Sequence, residues 1–272
     1  MTAGRGTEAA VPRAGEAGRY PVPMRILCLG CEVLARPLYL AAATSPHVVD
    51  VELLRIGLHD APANLRATLQ EAVAAADPGR YDAVALGYAL CGQATAGLRA
   101  GRLPLVVPRA HDCITLFLGD RERYGREFTD HPGTYWYTQD YIERESTSDA
   151  EVRGLGVGSG TEEELKATYA QYVEKYGRDN ADYLMEALGA WRSHYDRAAF
   201  IDLGVADAGA VEARARDDAE RRGWAFARVA GDLVLVRRLL AGDWHDDFLV
   251  VQPGERVALT YDEAIIRAEP VA

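Results

Sequence analysis

Between residues 24 and 128 the chain alternates short, near-continuous apolar runs with stretches whose apolar residues recur at helical spacing. The runs cover 24–29, 48–55, 83–88 and 105–107, and helical periods fill about 32–44, 65–76 and 114–128. A strand buried on both faces reads as continuous apolar sequence, and two parallel strands need a long crossover, usually a helix, between them. The alternation therefore predicts an α/β fold with an open, mostly parallel, Rossmann-like sheet and helices on both faces. A second series follows, with helices over 162–176 and 180–196. It continues with a strand at 198–203, a helix at 208–223, a strand at 224–229, a helix at 232–241 and a strand at 248–252. It reads as a smaller lobe or as a continuation of the same sheet.

Between the two series lies Ser146-Thr-Ser-Asp, followed by a run with glycine at 154, 156, 158 and 160. Its spacing is not that of a dinucleotide loop and no apolar strand precedes it, so it reads as a connector or lid. The organisation expected is a tail over 1–23, an α/β lobe over 24–145, the connector over 146–160, and a helical hairpin with the second lobe over 161–272. At 272 residues and 49% hydrophobic, the chain can bury a full core in one large domain or two lobes. The net charge of −11 argues against a nucleic-acid or anionic-membrane partner, either of which needs a basic face. No apolar run approaches the roughly 18 residues of a membrane span. Residues 1–23 mix Arg, Glu, Gly and Pro with no apolar core, so a disordered tail is expected rather than a signal peptide. The expected compartment is the cytoplasm, where thiols stay reduced and clustered cysteines serve metals or catalysis more often than disulfides.

Three of the four cysteines fall where an apolar run gives way to a turn: Cys31, Cys91 and Cys113. Ligands of open α/β sheets bind outside the carboxyl ends of the strands, so these thiols, with His111, are expected to meet at one edge although eighty residues separate them. The period of two places Cys28 inside the first strand as a core thiol. His111-x-Cys113 can grip one ion from an extended segment. With Cys31 and Cys91 it makes a set that suits zinc or a [4Fe–4S] cluster. Gly30, Gly87 and Gly92 crowd the same turns, as close backbone approach demands. A helix starting just after Cys31 or Cys113 is expected to lower the thiol pKa. A metal-free catalytic thiol and plain packing of buried cysteines stand as the alternatives.

Three stretches carry a family resemblance: Leu29-Gly-Cys-Glu-Val-Leu-Ala-Arg-Pro-Leu-Tyr39, Leu86-Gly-Tyr-Ala-Leu-Cys-Gly92 and Pro108-Arg-Ala-His-Asp-Cys-Ile-Thr-Leu-Phe-Leu-Gly-Asp-Arg-Glu-Arg-Tyr124. With Pro132-Gly-Thr-Tyr-Trp-Tyr-Thr138 they resemble the signature blocks of the domain of unknown function (DUF) 1638 family, over roughly 24–230. The resemblance implies no settled activity. It implies an association with corrinoid-dependent methyl-transfer systems, and so a corrinoid or methyltransferase partner protein. The D-x-H-x-x-G loop of a cobalamin-binding domain is absent from this chain.

The remaining polar residues of these blocks suggest how a site would be completed. Asp112 is placed to orient His111 or to act as a general base, with Arg109 beside it. Arg36, Arg121 and Arg123 could clamp a carboxylate or phosphate of a small-molecule substrate, a solvated helix face being the alternative for the last two. Tyr135, Trp136 and Tyr137 form an aromatic strand that walls a pocket or, more commonly, fills a core. His59 follows the second strand and reads as a loop histidine. Walker, G-x-S-x-G, H-E-x-x-H and ferredoxin-type cysteine motifs are all missing. The leading expectation is a metal-dependent methyl or thiol transferase. A non-enzymatic metal or corrinoid-system carrier and a metal-free cysteine transferase are the other two readings.

Overall fold

The first apolar run becomes β1 (Arg25–Cys31), buried at every residue but the first. Strand β2 (Val48–Leu54) pairs with it in parallel on one side and β3 (Ala83–Gly87) on the other. Strand β4 (Leu105–Pro108) pairs in parallel with β3, and β8 (Phe248–Val251) closes that edge antiparallel to β4. The sheet order is β2-β1-β3-β4-β8, so the chain is a mixed α/β protein with a mostly parallel central sheet. In this computed structural model the described residues are 23–145, 173, 178, 195–260 and 262–271. Residues 1–22 of the expected tail over 1–23, the connector at 146–160 and the bulk of the helices at 162–176 and 180–196 lie outside them.

Local chemistry explains the helices. α1 (Ala35–Ala43) follows a short 3-10 turn at Glu32–Leu34, and α2 (Pro62–Ala75) begins with proline, whose fixed φ and missing N–H suit a first helical turn. Leu65, Leu69 and Val73 recur every four residues and give α2 its buried stripe. The single helix expected over 114–128 is two helices, α3 (Cys113–Leu118) and α4 (Arg121–Asp130). Gly119 adopts a left-handed φ of 75°, and the Asp120 carboxylate accepts the Arg123 N–H at 2.6 Å, capping a new helix start.

The described residues divide into two units. The first holds those within Met1–Cys31, Pro37–Cys113 and Val234–Ala272; the second holds those within Glu32–Arg36 and Ile114–Leu233. In the second unit β5 (Thr134–Thr138), β6 (Arg197–Asp202) and β7 (Ala225–Ala230) form a separate parallel sheet in that order. Helix α5 (Gln139–Glu145) follows β5, and α6 (Gly209–Arg222) joins β6 to β7 and ends at Gly223, whose φ of 73° suits a left-handed cap. The units therefore do not follow the boundary expected at 146–160. The aromatic strand β5 belongs with the later strands. α7 (Val234–Leu240) and β8 rejoin the first unit, as does a hairpin of β9 (Glu255–Leu259) and β10 (Ile266–Pro270).

Two strand glycines let α1 approach the first sheet. Gly30 and Gly87 are register partners, and a Cβ on Gly30 would lie 2.3 Å from Leu38 Cδ1. Leu38 is itself fully buried, so it has little room to turn aside. Gly30→Val is expected to lower stability by about 1–3 kcal/mol. A urea midpoint unchanged from the parent would refute this account of the helix–sheet contact.

Candidate functional site

Chain direction reverses its sense of winding between β1 and β3. The connection from β1 leads outward to β2, and that from β3 leads the other way to β4. At such a point the loops leave in opposite directions and open a crevice at the carboxyl ends of the strands. Cys31 ends β1 there. Tyr88, Ala89 and Leu90 carry the chain from β3 to Cys91, while 109–112 carry it from β4 to Cys113 at the start of α3. The two loops are tied by backbone: Leu90 N–H donates to Ala110 C=O at 2.9 Å and Cys91 N–H to His111 C=O at 3.0 Å. All three thiols belong to the first unit.

Their electrostatics show that they sense one another. Burial pushes the Cys91 thiol up to about 12, and the charges of Cys31 and Asp112 push the same way. Burial, then Cys91, Asp112 and Cys31, hold the Cys113 thiol well above its ordinary value. Cys31 is buried, while Cys91 and Cys113 are part-exposed as residues although protein surrounds their sulfur atoms. The lowering expected at Cys113 from a helix start is thus overturned. Desolvation and like charge outweigh the dipole of a six-residue helix. Cys28 is a core thiol, fully buried and pushed up to about 12 by that burial. Among the described residues no group of three or more His, Cys, Asp or Glu side chains is arranged as a ready-made metal site.

The other expected site residues are distributed more widely. His111 is exposed beside the cluster, and Asp112 is half-buried and close enough to act on two thiols. Arg109 donates through Nη1 to the carbonyls of Ala264, at 2.8 Å, and Ile266, so it pins the start of β10. Arg36 lies in the second unit, where it pairs with Asp140 at 2.6 Å and Glu143 at 2.5 Å. Arg123 donates to the carbonyls of Leu118 and Ala230, also in the second unit, and Arg121 opens α4. The three arginines expected as an anion clamp are thus in the second unit, where Arg36 is committed to carboxylates and Arg123 to backbone carbonyls. His59 sits in a 3-10 turn after β2. Tyr135, Trp136 and Tyr137 are all buried in the second sheet, where Tyr135 packs edge-on to Tyr137 at 5.1 Å between ring centres.

Residues 53–240 match the sequence profile of a family described as Protein of unknown function (DUF1638). The chain belongs to the DUF1638 family. The match covers well over half of the 272 residues, so it extends across both units. In this DUF1638 chain Cys91, Arg109, His111, Asp112, Cys113, Arg121 and Arg123 fall inside the matched span, while Cys31 and Arg36 precede it. No curated protein and no solved structure matches the chain. Among the described residues no helix is long and apolar enough to cross a membrane.

Sequence reading missed Asp218, a buried carboxylate that collects Tyr137, Arg221 and Arg222 in the second unit. Its only sequence signal is an acid at the buried spacing of α6, where Val211, Ala215 and Asp218 share a face.

Proposed function

We propose that this DUF1638 protein binds a metal through Cys31, Cys91 and Cys113, with or without His111, and uses it for methyl or thiol transfer to a small molecule. The metal is zinc or an iron–sulfur cluster. The observation that supports this reading is the gathering of three thiols at a winding reversal in a parallel sheet, where Cys31 acts on Cys91 and both act on Cys113. Such a cluster is held neutral by burial, and neutral thiols are poor nucleophiles. A metal-free cysteine transferase needs the opposite shift, so the same observation counts against it. A cation relieves both penalties, because it replaces the protons and offsets the repulsion among thiolates.

Loading in this reading takes three thiol protons and a rotation of the cysteine side chains toward one another, since no ready-made site precedes it. When bound, zinc or a cluster supplies Lewis-acid activation of a substrate thiol or acceptor. The chain's own part is to hold one ligand at the end of β1 and two beyond β3 and β4, and Asp112, whose charge acts on two of the thiols, would be the group to take up a proton. The part-exposure of Cys91 and Cys113 as residues places the cluster near the surface, where a substrate would arrive. The same exposure suits a second reading, a metal carrier serving a corrinoid or methyltransferase partner.

Anaerobic purification with metal analysis and visible absorption, run beside Cys31→Ala, Cys91→Ala and Cys113→Ala, tests the proposal. Colourless protein with stoichiometric zinc, lost in all three variants, supports zinc-dependent transfer. A brown protein with iron and sulfide, lost in the same variants, selects the cluster. Parent protein that neither retains nor takes up zinc or iron sinks the reading.

A further inference from the structure

We infer that Arg66 on α2 is a positioning residue for Cys91, a role that rests on the thiol cluster's being the metal site. The backbone at Cys91 is left-handed, with φ 45°, and Gly92 and Gln93 continue left-handed at 63° and 71°. Glycine adopts that region freely, but cysteine and glutamine do not, so the turn needs fixed partners on both sides. One side is the Cys91 N–H bond to His111 C=O. The other is Arg66: its Nη2 donates to Gln93 C=O at 2.8 Å and its Nε to Ala94 C=O at 3.3 Å.

The origin of the strut is rigid. α2 is anchored by Leu65, Leu69 and Val73, all essentially inaccessible, and Arg66 is the next residue after the first of them. From there the guanidinium reaches across 27 and 28 residues of sequence to the two carbonyls. Its planar fork bonds both at once, which a lysine ammonium on a flexible stem does with less geometric control. Pro62, in the first turn of the same helix, places Cγ 3.7 Å from where a Gly92 side chain would begin. The helix therefore holds in place the turn that presents Cys91, which its own Ala94 N–H to Cys91 C=O bond at 3.2 Å closes.

The test is a Co²⁺ titration of the full-length reduced protein under anaerobic conditions, reading thiolate-to-cobalt charge-transfer absorption. The proteins compared are the parent, Arg66→Met, Arg66→Lys and Cys91→Ser. Arg66→Met is expected to bind about tenfold more weakly. Its charge-transfer intensity per ion should fall by about a third, the share of one thiolate in three, as in Cys91→Ser. Arg66→Lys should fall between Arg66→Met and the parent. Parent-like affinity and intensity in Arg66→Met overturn the inference. A parent with no charge-transfer band removes the metal reading instead, and Arg66 is then decided by alkylation of Cys91, followed by peptide mass spectrometry. Faster alkylation in Arg66→Met at an unchanged melting temperature upholds positioning, and equal rates overturn it.

Discussion

Cys113→Ser should weaken Zn²⁺ binding at neutral pH by about a hundredfold or more, and should also flatten its pH dependence. Only the thiolate ligates, and burial with neighbouring charge holds Cys91 near 12 and Cys113 well above its ordinary value. Binding must therefore expel the thiol protons throughout the range from pH 6 to 8. Protons compete with the metal, so affinity falls as pH falls and rises as pH rises. Each displaced proton contributes about tenfold per pH unit while the pH stays below the thiol's pKa. Three thiols give a slope of about three in log affinity against pH, and two, in the serine variant, a slope of about two. Competition with a chromophoric chelator at several pH values measures it. Binding that is independent of pH, or equal in the variant, would place the ion elsewhere.

Asp218→Ala should cost the second unit about 3 kcal/mol. For a chain of this size that corresponds to a melting transition lower by about 10 °C. The Tyr137 hydroxyl donates to Asp218 Oδ2 at 2.6 Å, deep in the core of that unit. Arg222 Nε donates to the same oxygen at 2.8 Å and Arg221 Nη2 to Oδ1 at 2.9 Å. Burial, reinforced by Asp218, holds the Tyr137 phenol far above its ordinary range, so it remains a donor at any accessible pH. Removing the carboxylate strands a fully buried O–H and a largely covered guanidinium. Tyr137→Phe should cost only about 1 kcal/mol, because Asp218 keeps both arginines. Arg221→Ala should be nearly neutral, since that side chain is half exposed. An Asp218→Ala protein that melts with the parent would show that the cluster contributes nothing to the core.

Much of the first unit was legible because its central strands, β1, β3 and β4, are buried on both faces. Ile26, Leu27, Cys28 and Leu29 in β1 and Ala83–Gly87 in β3 leave no alternation to confuse with a helix. The helix at 114–128 was misread because its apolar period continues across Gly119 and Asp120. The break depends on one glycine's φ and one carboxylate's reach. Sheet membership was less legible still. β5 and β8 have the same local texture as β1 and β4, yet β5 pairs with β6, and β8 pairs with β4, some 140 residues earlier.

Within the candidate site, the three cysteines could be found from sequence because strand ends and turn glycines mark the carboxyl edge of a parallel sheet. The arginines could not be assigned. Arg109 finds its carbonyls 155 and 157 residues away, Arg36 its carboxylate 104 away, and Arg123 one of its carbonyls 107 away. Nothing within a few residues distinguishes an arginine that will hold backbone from one that will hold a ligand.

By itself, the sequence determined the α/β class, strands β1 to β8 and most helices of the described region, the family, and three thiols at or just beyond the ends of β1, β3 and β4, while the β9–β10 hairpin and α5 went unread. Those properties follow from residue period and turn chemistry, which act over a few neighbours. Only the tertiary structure decided the order β2-β1-β3-β4-β8, which puts the Cys31 and Cys91 strands side by side. Only it decided that burial and neighbouring charge would raise the Cys91 and Cys113 thiols, against the lowering expected from a helix start at Cys113. Strand partners and desolvation arise from groups far apart in the chain, and no local pattern encodes which of them will meet.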